Sequence, residues 1–254
     1  MLAGALMFLG VGAIFGQSVL FFDDFAGPKL DPTWQASLPD AHCGSIPYGS
    51  SLIANCAGAP EFDFRSLGAN SVVHIANSMG PLQRRGWSSS AVFVARDFRL
   101  EARFNTLNQS PTSSIDAFIE LWLLDANDDT RYDIVSPYGG GFGTDLYFFT
   151  GSSLDKDYPH SSYSYQNNTW YRLVLEGARD QNIRASLCDD NGKELIGRSF
   201  RHSAGAFCSG FKIVLSQAIG ASGVPYPVDV AVDYVKLTTG GSPSKHLNSP
   251  KSEP

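Results

Sequence analysis

Charge is scarce in this chain. Asp, Glu, Lys and Arg make up 17% of its 254 residues, and 25 acids against 19 bases give a net charge of −6. No basic stripe runs through it. The nearest basic cluster, Arg84-Arg85, is too short to track a phosphate backbone and reads as a solvated loop, which argues against nucleic acid as a partner. Helix-period segments of useful length are missing beyond the first residues. There is no CxxC unit to suggest a zinc site and no nucleophile-elbow motif to suggest Ser/His/Asp hydrolysis. No internal repeat is found. What the chain has instead is glycine, 25 copies, and 12% aromatic residues. That balance suits many short strands joined by tight turns. The length suits one large all-β sandwich, which commonly takes about 200–250 residues as a single domain.

The first residues bear on the compartment. Leu2 to Phe15 is an apolar run with small residues, followed by Gly16-Gln17-Ser18, though no Lys or Arg precedes it. It reads as a secretory signal, residues 1–16, removed on export. It is short of the ~20 apolar residues that span a bilayer, so no stable membrane span is expected after removal. The alternative is a buried N-terminal strand. Cys43, Cys56, Cys188 and Cys208 fit a secreted, extracellular or periplasmic protein. Four cysteines allow three connectivities, and proximity in sequence favours Cys43–Cys56 and Cys188–Cys208. At the other end, residues 240–254 are rich in Ser, Pro and Lys, and are expected to be a disordered tail or linker.

Strands are read from period-2 alternation. Phe98, Leu100, Ala102 and Phe104 share one face of a strand, and Arg99, Glu101 and Arg103 share the other. Ile115 to Leu124 is the longest apolar strand, with a hairpin turn after it at residues 125–129 and a return strand at Arg131 to Val135. Further strands are expected at Ser18–Phe25, Ser71–Ala76, Ala91–Ala95, Leu146–Phe149, Phe211–Gln217 and Val228–Thr238. Asp190-Asn191-Gly192-Lys193 marks a hairpin between Ile183–Asp189 and Glu194–Ile196, since Asn-Gly is a strong hairpin signal.

Phe21-Phe22-Asp23-Asp24-Phe25-Ala26-Gly27-Pro28, followed by Trp34, opens the domain, and Val228-Asp229-Val230-Ala231-Val232-Asp233-Tyr234-Val235-Lys236-Leu237 closes it. This bracket resembles the terminal strands of concanavalin A-like β-sandwiches, the superfamily of legume-type lectins, laminin-G-like modules and laminarinase-type glycoside hydrolases. Asn167-Asn168-Thr169-Trp170 with its alternating strand also resembles the laminin-G-like pattern. The resemblance covers residues 18–239. It implies an antiparallel two-sheet jelly roll and a polysaccharide or glycan as partner. It also implies that no cofactor is required beyond a structural calcium ion held by Asp233, although an Asp that merely hydrogen-bonds the first strand fits equally.

Laminarinase-type enzymes carry Glu, Asp and Glu alternating on one strand. Retaining hydrolysis needs two carboxyl groups ~5–5.5 Å apart. Asp116 and Glu120 are the nearest match, but they lie four residues, about 13 Å, apart with Phe118 between them, so the motif is broken. A wider reading gathers Arg99, Glu101, Arg103, Asp116, Glu120, Trp122, Arg131, Asp133 and Tyr147 on one curved sheet. There Trp122 would stack on a sugar, Glu120 would accept hydroxyls or act as acid/base with Asp116, and the arginines would line the floor. The plain alternative is a charged solvent face of cross-strand ion pairs. A lyase reading rests on His160, Tyr163 and Tyr165, whereas His74 reads as a satisfied strand residue. Glycan binding, hydrolase or lyase chemistry, and a structural cell-surface role all stay open.

Overall fold

The computed structural model describes residues 17–35, 47–48, 51–52, 55–56, 62–78, 83–105, 107, 119–127, 132–140, 143–150, 153–154, 166, 168–178, 182–201, 207, 209–219 and 227–240. The expected signal segment, and the tail beyond residue 240, lie outside them. Among the described residues the strands are, in chain order, β1 (Ser18–Asp23), β2 (Trp34–Gln35), β3 (Pro47–Tyr48), β4 (Ser51–Leu52), β5 (Asn55–Cys56), β6 (Phe62–Leu67), β7 (Asn70–Ser78), β8 (Gln83–Ser89) and β9 (Asp97–Asn105). They continue as β10 (Glu120–Asp125), β11 (Tyr132–Gly140), β12 (Gly143–Thr150), β13 (Ser153–Leu154), β14 (Trp170–Ala178), β15 (Asn182–Asp189), β16 (Glu194–Arg201), β17 (Phe211–Ile219) and β18 (Pro227–Thr239). No helix among the described residues is long and apolar enough to cross a membrane.

Two eight-stranded sheets form a jelly-roll sandwich. Sheet A runs β16-β15-β14-β9-β18-β7-β6, with β1 also on β18. Sheet B runs β13-β12-β11-β10-β17-β8-β2, with β5 on β8, and β3–β4 stand apart. Pairing is antiparallel throughout the two sheets except at β5–β8. The first and last strands pair, Ser18 with Thr239 and Asp23 with Val235, so the bracket seen in the sequence closes in space.

Alternation explains the core. In β9, Phe98, Leu100, Ala102 and Phe104 enter it; in β10, Leu121 and Leu123; in β17, Ile213 and Leu215. Aromatic rings meet edge-on at Phe21–Trp34 and Phe62–Trp87, with centroids 5.3 and 5.1 Å apart. The opening turn is held by Asp23, whose carboxylate accepts from Trp34 Nε1 at 2.7 Å and from the Phe25 N–H at 2.9 Å. That bond helps hold Phe25 at a φ of 49°, with its ring in the core. The expected Asn-Gly hairpin forms: Gly192 sits at φ 83°, and the Asn191 and Lys193 N–H groups both donate to Asp189 Oδ1.

Three expectations about elements change. Ala91–Ala95 is extended but makes a single bridge, Phe93 with Phe211, so it is not a strand. β6 and β8 are strands that the alternation did not announce. Of Ile115–Leu124, only residues 119–124 are described, and the strand begins at Glu120.

Candidate functional site

A sandwich offers a ligand two outer faces, and the expected site residues are divided between them. On sheet B, Leu121 and Leu123 point into the core, so Glu120 and Trp122 point outward. Register flanks Trp122 with Val214 and Ile134, and places Ser216 opposite Glu120. Ser216 Oγ donates to Glu120 Oε2 at 2.6 Å. The next strand is allowed this close because residue 86 is glycine: a Cβ there would lie 2.5 Å from both the Leu215 carbonyl oxygen and Ser216 Cβ.

Glu120 and Trp122 are both 0% exposed. The expected open sugar platform at Trp122 is therefore corrected. Its indole is packed into the floor of this face and presents no ring surface to water. Asp133 is corrected too: it pairs with Leu123, so it faces the core side of β11 and is buried there. Asp116 and Arg131 lie outside the described residues, as do His160, Tyr163 and Tyr165. Tyr147 stands opposite Ser136 on β12, and its side chain is outside the described residues. Among the described residues no single strand of sheet B supplies two acids on one face: β10 holds Glu120 and Asp125 at opposite parity, β11 holds Asp133 alone and β12 holds Asp145 alone.

Glu101 and Arg103 are the largest correction. They belong to β9 in sheet A, on the opposite side of the molecule from Glu120. Although β9 and β10 follow each other in the sequence, the chain crosses between sheets from one to the other. The outer face of sheet A is a web of ion pairs spanning β18, β9, β14 and β15. Arg103 grips Asp190 through two nitrogens, at 2.6 and 2.9 Å, donates to Asp233 at 2.6 Å, and lies 4.2 Å over the Trp170 ring. Hydrogen bonds with Asp190, and then with Asp233, push the Arg103 guanidinium further above its ordinary range. Arg99 joins Glu101 at 2.7 Å and Glu176 at 2.6 Å. The Tyr234 hydroxyl donates to Glu101. Burial, reinforced by Glu101, raises the pKa of that phenol and keeps it protonated.

Asp233, expected to hold calcium, faces the Arg103 guanidinium instead, and no cluster of three or more metal-ligating side chains occurs among the described residues. A cation is already supplied by the protein at that carboxylate, so the surroundings do not fit a calcium ligand. Cys188 is a buried free thiol across from Arg172, pushed up to about 11 by burial, which corrects the expected Cys188–Cys208 bridge. Cys188 sits within the sheet; Cys208 and Cys43 lie outside the described residues. Only the backbone of Cys56 is described. His74, on β7, is held between Asp63 at 2.9 Å and Asp229 at 2.5 Å, as a satisfied strand residue.

A cavity of about 470 Å³ opens on this same face, lined by Phe22, Arg99, Glu101, Arg172, Tyr234 and Lys236, with Gln17 and Thr238. The sequence reading missed Arg172, Tyr234, Lys236 and Phe22. Their signal was present, since Arg172 and Glu176 alternate with core residues along β14, and Tyr234, Lys236 and Thr238 do so along β18.

No sequence-family model and no curated protein matches this chain. Solved structures do. An endo-acting O-glycanase from the human gut microbiota matches with a TM-score of 0.55 and 15% identity, covering 87% of this chain and 99% of that one. A glycoside hydrolase family protein from Mycobacterium thermorestibile matches with a TM-score of 0.53 and 16% identity, over 86% and 99%. The lectin UEA-II complexed with galactose matches with a TM-score of 0.50 and 8% identity, over 86% and 98%. At these identities the likeness is one of fold. The chain shares with them the two-sheet jelly-roll sandwich, an architecture that glycan-cleaving and glycan-binding proteins both use.

Proposed function

We propose that this protein is an exported glycan-recognising sandwich that binds through the outer face of sheet B. One observation carries the reading: the carboxylate of Glu120, stripped of water and held by Ser216 beside Trp122, at the centre of that face. Removing a carboxyl group from water is costly, and a face with only a structural task has no need of one. The glycanases and the galactose-bound lectin of the same fold support glycan as the ligand class. Binding is the reading taken here because among the described residues no strand of sheet B carries two acids on one face, the arrangement that retaining hydrolysis draws on.

A panel of neutral polysaccharides tests this, with retention, reducing-sugar release and unsaturated-product absorbance read together. The expected result is retention without product, and retention weakened by about tenfold in Glu120→Gln, a loss of ~1.4 kcal/mol. An unchanged melting temperature in that variant would show that the fold is kept. Absence of retention on every glycan overturns the reading. Product release that is lost in Glu120→Gln would make the protein an enzyme rather than a lectin.

A further inference from the structure

We infer that the cavity on the outer face of sheet A binds an acidic saccharide, seating its carboxylate or sulfate between Lys236 and Arg172. This site lies on the opposite face from Glu120 and stands whether or not sheet B binds glycan.

Arg103 is saturated by Asp190 and Asp233, and Arg99 by Glu101 and Glu176. Two further cations are less well neutralised. Lys236 stands directly across from Glu101 on the neighbouring strand and makes no ion pair among the described residues. Arg172 donates to the Asp190 carbonyl at 2.7 Å and reaches Glu101 only at 3.5 Å, while its buried Nε has no hydrogen-bond partner. Glu101 cannot neutralise both, because its oxygens already take Arg99 and the Tyr234 hydroxyl. Arg99, Arg172 and Lys236 therefore share two carboxylates, Glu101 in the cavity lining and Glu176 beside Arg99, in a protein whose net charge is −6. Low-dielectric walls around like charges concentrate the field on an incoming anion.

The rim says which anion. Phe22, across from Lys236, is 49% exposed, and its ring lies 6.0 Å from that of Tyr234. An apolar ring left in water beside incompletely neutralised cations suits a ligand with a C–H face and an oxyanion on the same small unit, as a uronate or a sulfated sugar has. A bare inorganic anion gains nothing from Phe22.

The test is titration calorimetry on the full chain with three oligosaccharides: an oligogalacturonate, a heparin-derived oligomer and a neutral β-glucan oligomer. The two acidic oligomers together report the shared oxyanion chemistry, and their relative affinity separates carboxylate from sulfate. Binding of at least one acidic oligomer is expected, weakening as salt rises. Lys236→Gln should weaken it by about tenfold, and the double variant with Arg172→Gln should abolish it. Phe22→Ala should weaken it by roughly threefold, because an exposed ring contributes less than a desolvated charge. Lys29→Gln, the same loss of charge at an exposed loop lysine away from the cavity lining, should leave it unchanged. Lys236 is a surface side chain, so its variant keeps the test sound if the double variant fails to fold. No binding of either acidic oligomer at low salt overturns the inference. So does equal binding of the neutral one, or unchanged affinity in Lys236→Gln.

Discussion

The two outer faces of this sandwich solve opposite problems. Sheet B carries Trp122, Ile134 and Val214 around one carboxylate, packed without water. Sheet A carries arginines and acids that neutralise one another across neighbouring strands, around an open cavity. On sheet B a buried carboxyl group is costly, and Glu120 is held there by a hydroxyl. On sheet A charge costs little because each strand offers the next a partner, so the informative groups are those left without one. An exception to the local rule marks the candidate site on both faces.

The strongest way to break this contrast is at the aromatic rings. Trp122→Ala should destabilise by about 3–5 kcal/mol, as truncation of a buried large ring does, whereas Phe22→Ala should change stability by no more than about 0.5 kcal/mol. Urea midpoints for the two variants decide it. Equal losses would mean that Phe22 is a core residue and that sheet A has no open rim.

A smaller effect is expected from Arg103→Ala, which removes the two-nitrogen grip on Asp190, the contact with Asp233 and the cover over Trp170. About 1.5–3 kcal/mol is expected, as for hydrogen bonds to charged groups. Added salt should narrow the gap between wild type and variant, because this face is partly open to solvent. A gap that does not respond to salt would place the loss in packing rather than charge.

The smallest effect is in the response to acid. Hydrogen bonding to Arg103 holds the Asp190 carboxyl below its ordinary 3.8. The stability this contributes is complete above 3.8 and is lost as the pH falls through the lower folded-state value. Asp23 runs the other way: burial raises it above 3.8, so protonating it as the pH falls through that raised value favours the folded form. Asp190→Asn should therefore flatten the acid loss of stability, and Asp23→Asn should steepen it, as read from urea midpoints between pH 2 and 6. The same slope in both variants would show that neither carboxylate is coupled to folding as its surroundings indicate.

Much of this contrast could be read strand by strand. Alternation in β9 placed Phe98, Leu100, Ala102 and Phe104 in the core and Arg99, Glu101 and Arg103 outside, and in β10 it separated Leu121 and Leu123 from Glu120 and Trp122. A strand's face is a local property, set by side chains pointing alternately up and down. Which sheet a strand joins is not local. The chain crosses the sandwich between β9 and β10, so two outward faces that look alike in sequence lie on opposite sides of the molecule. The same limit explains Asp133: an acid in an otherwise apolar strand reads as outward, but pairing with Leu123 turns it toward the core.

Local pattern alone was enough for the antiparallel all-β character, the bracketing of the domain by its first and last strands, and the faces of β9 and β10; in β18 a bulge at Asp233 switches the buried face from even to odd positions. Period and turn chemistry act within a few residues, and nothing distant can change them. Only the tertiary structure decided that Trp122 is dry, that Asp233 answers to Arg103, that Cys188 stays free, and that Lys236 and Arg172 meet around Glu101. Those outcomes depend on which strands become neighbours, and pairing between strands far apart in the chain is chosen by how the whole set of apolar faces can be buried at once.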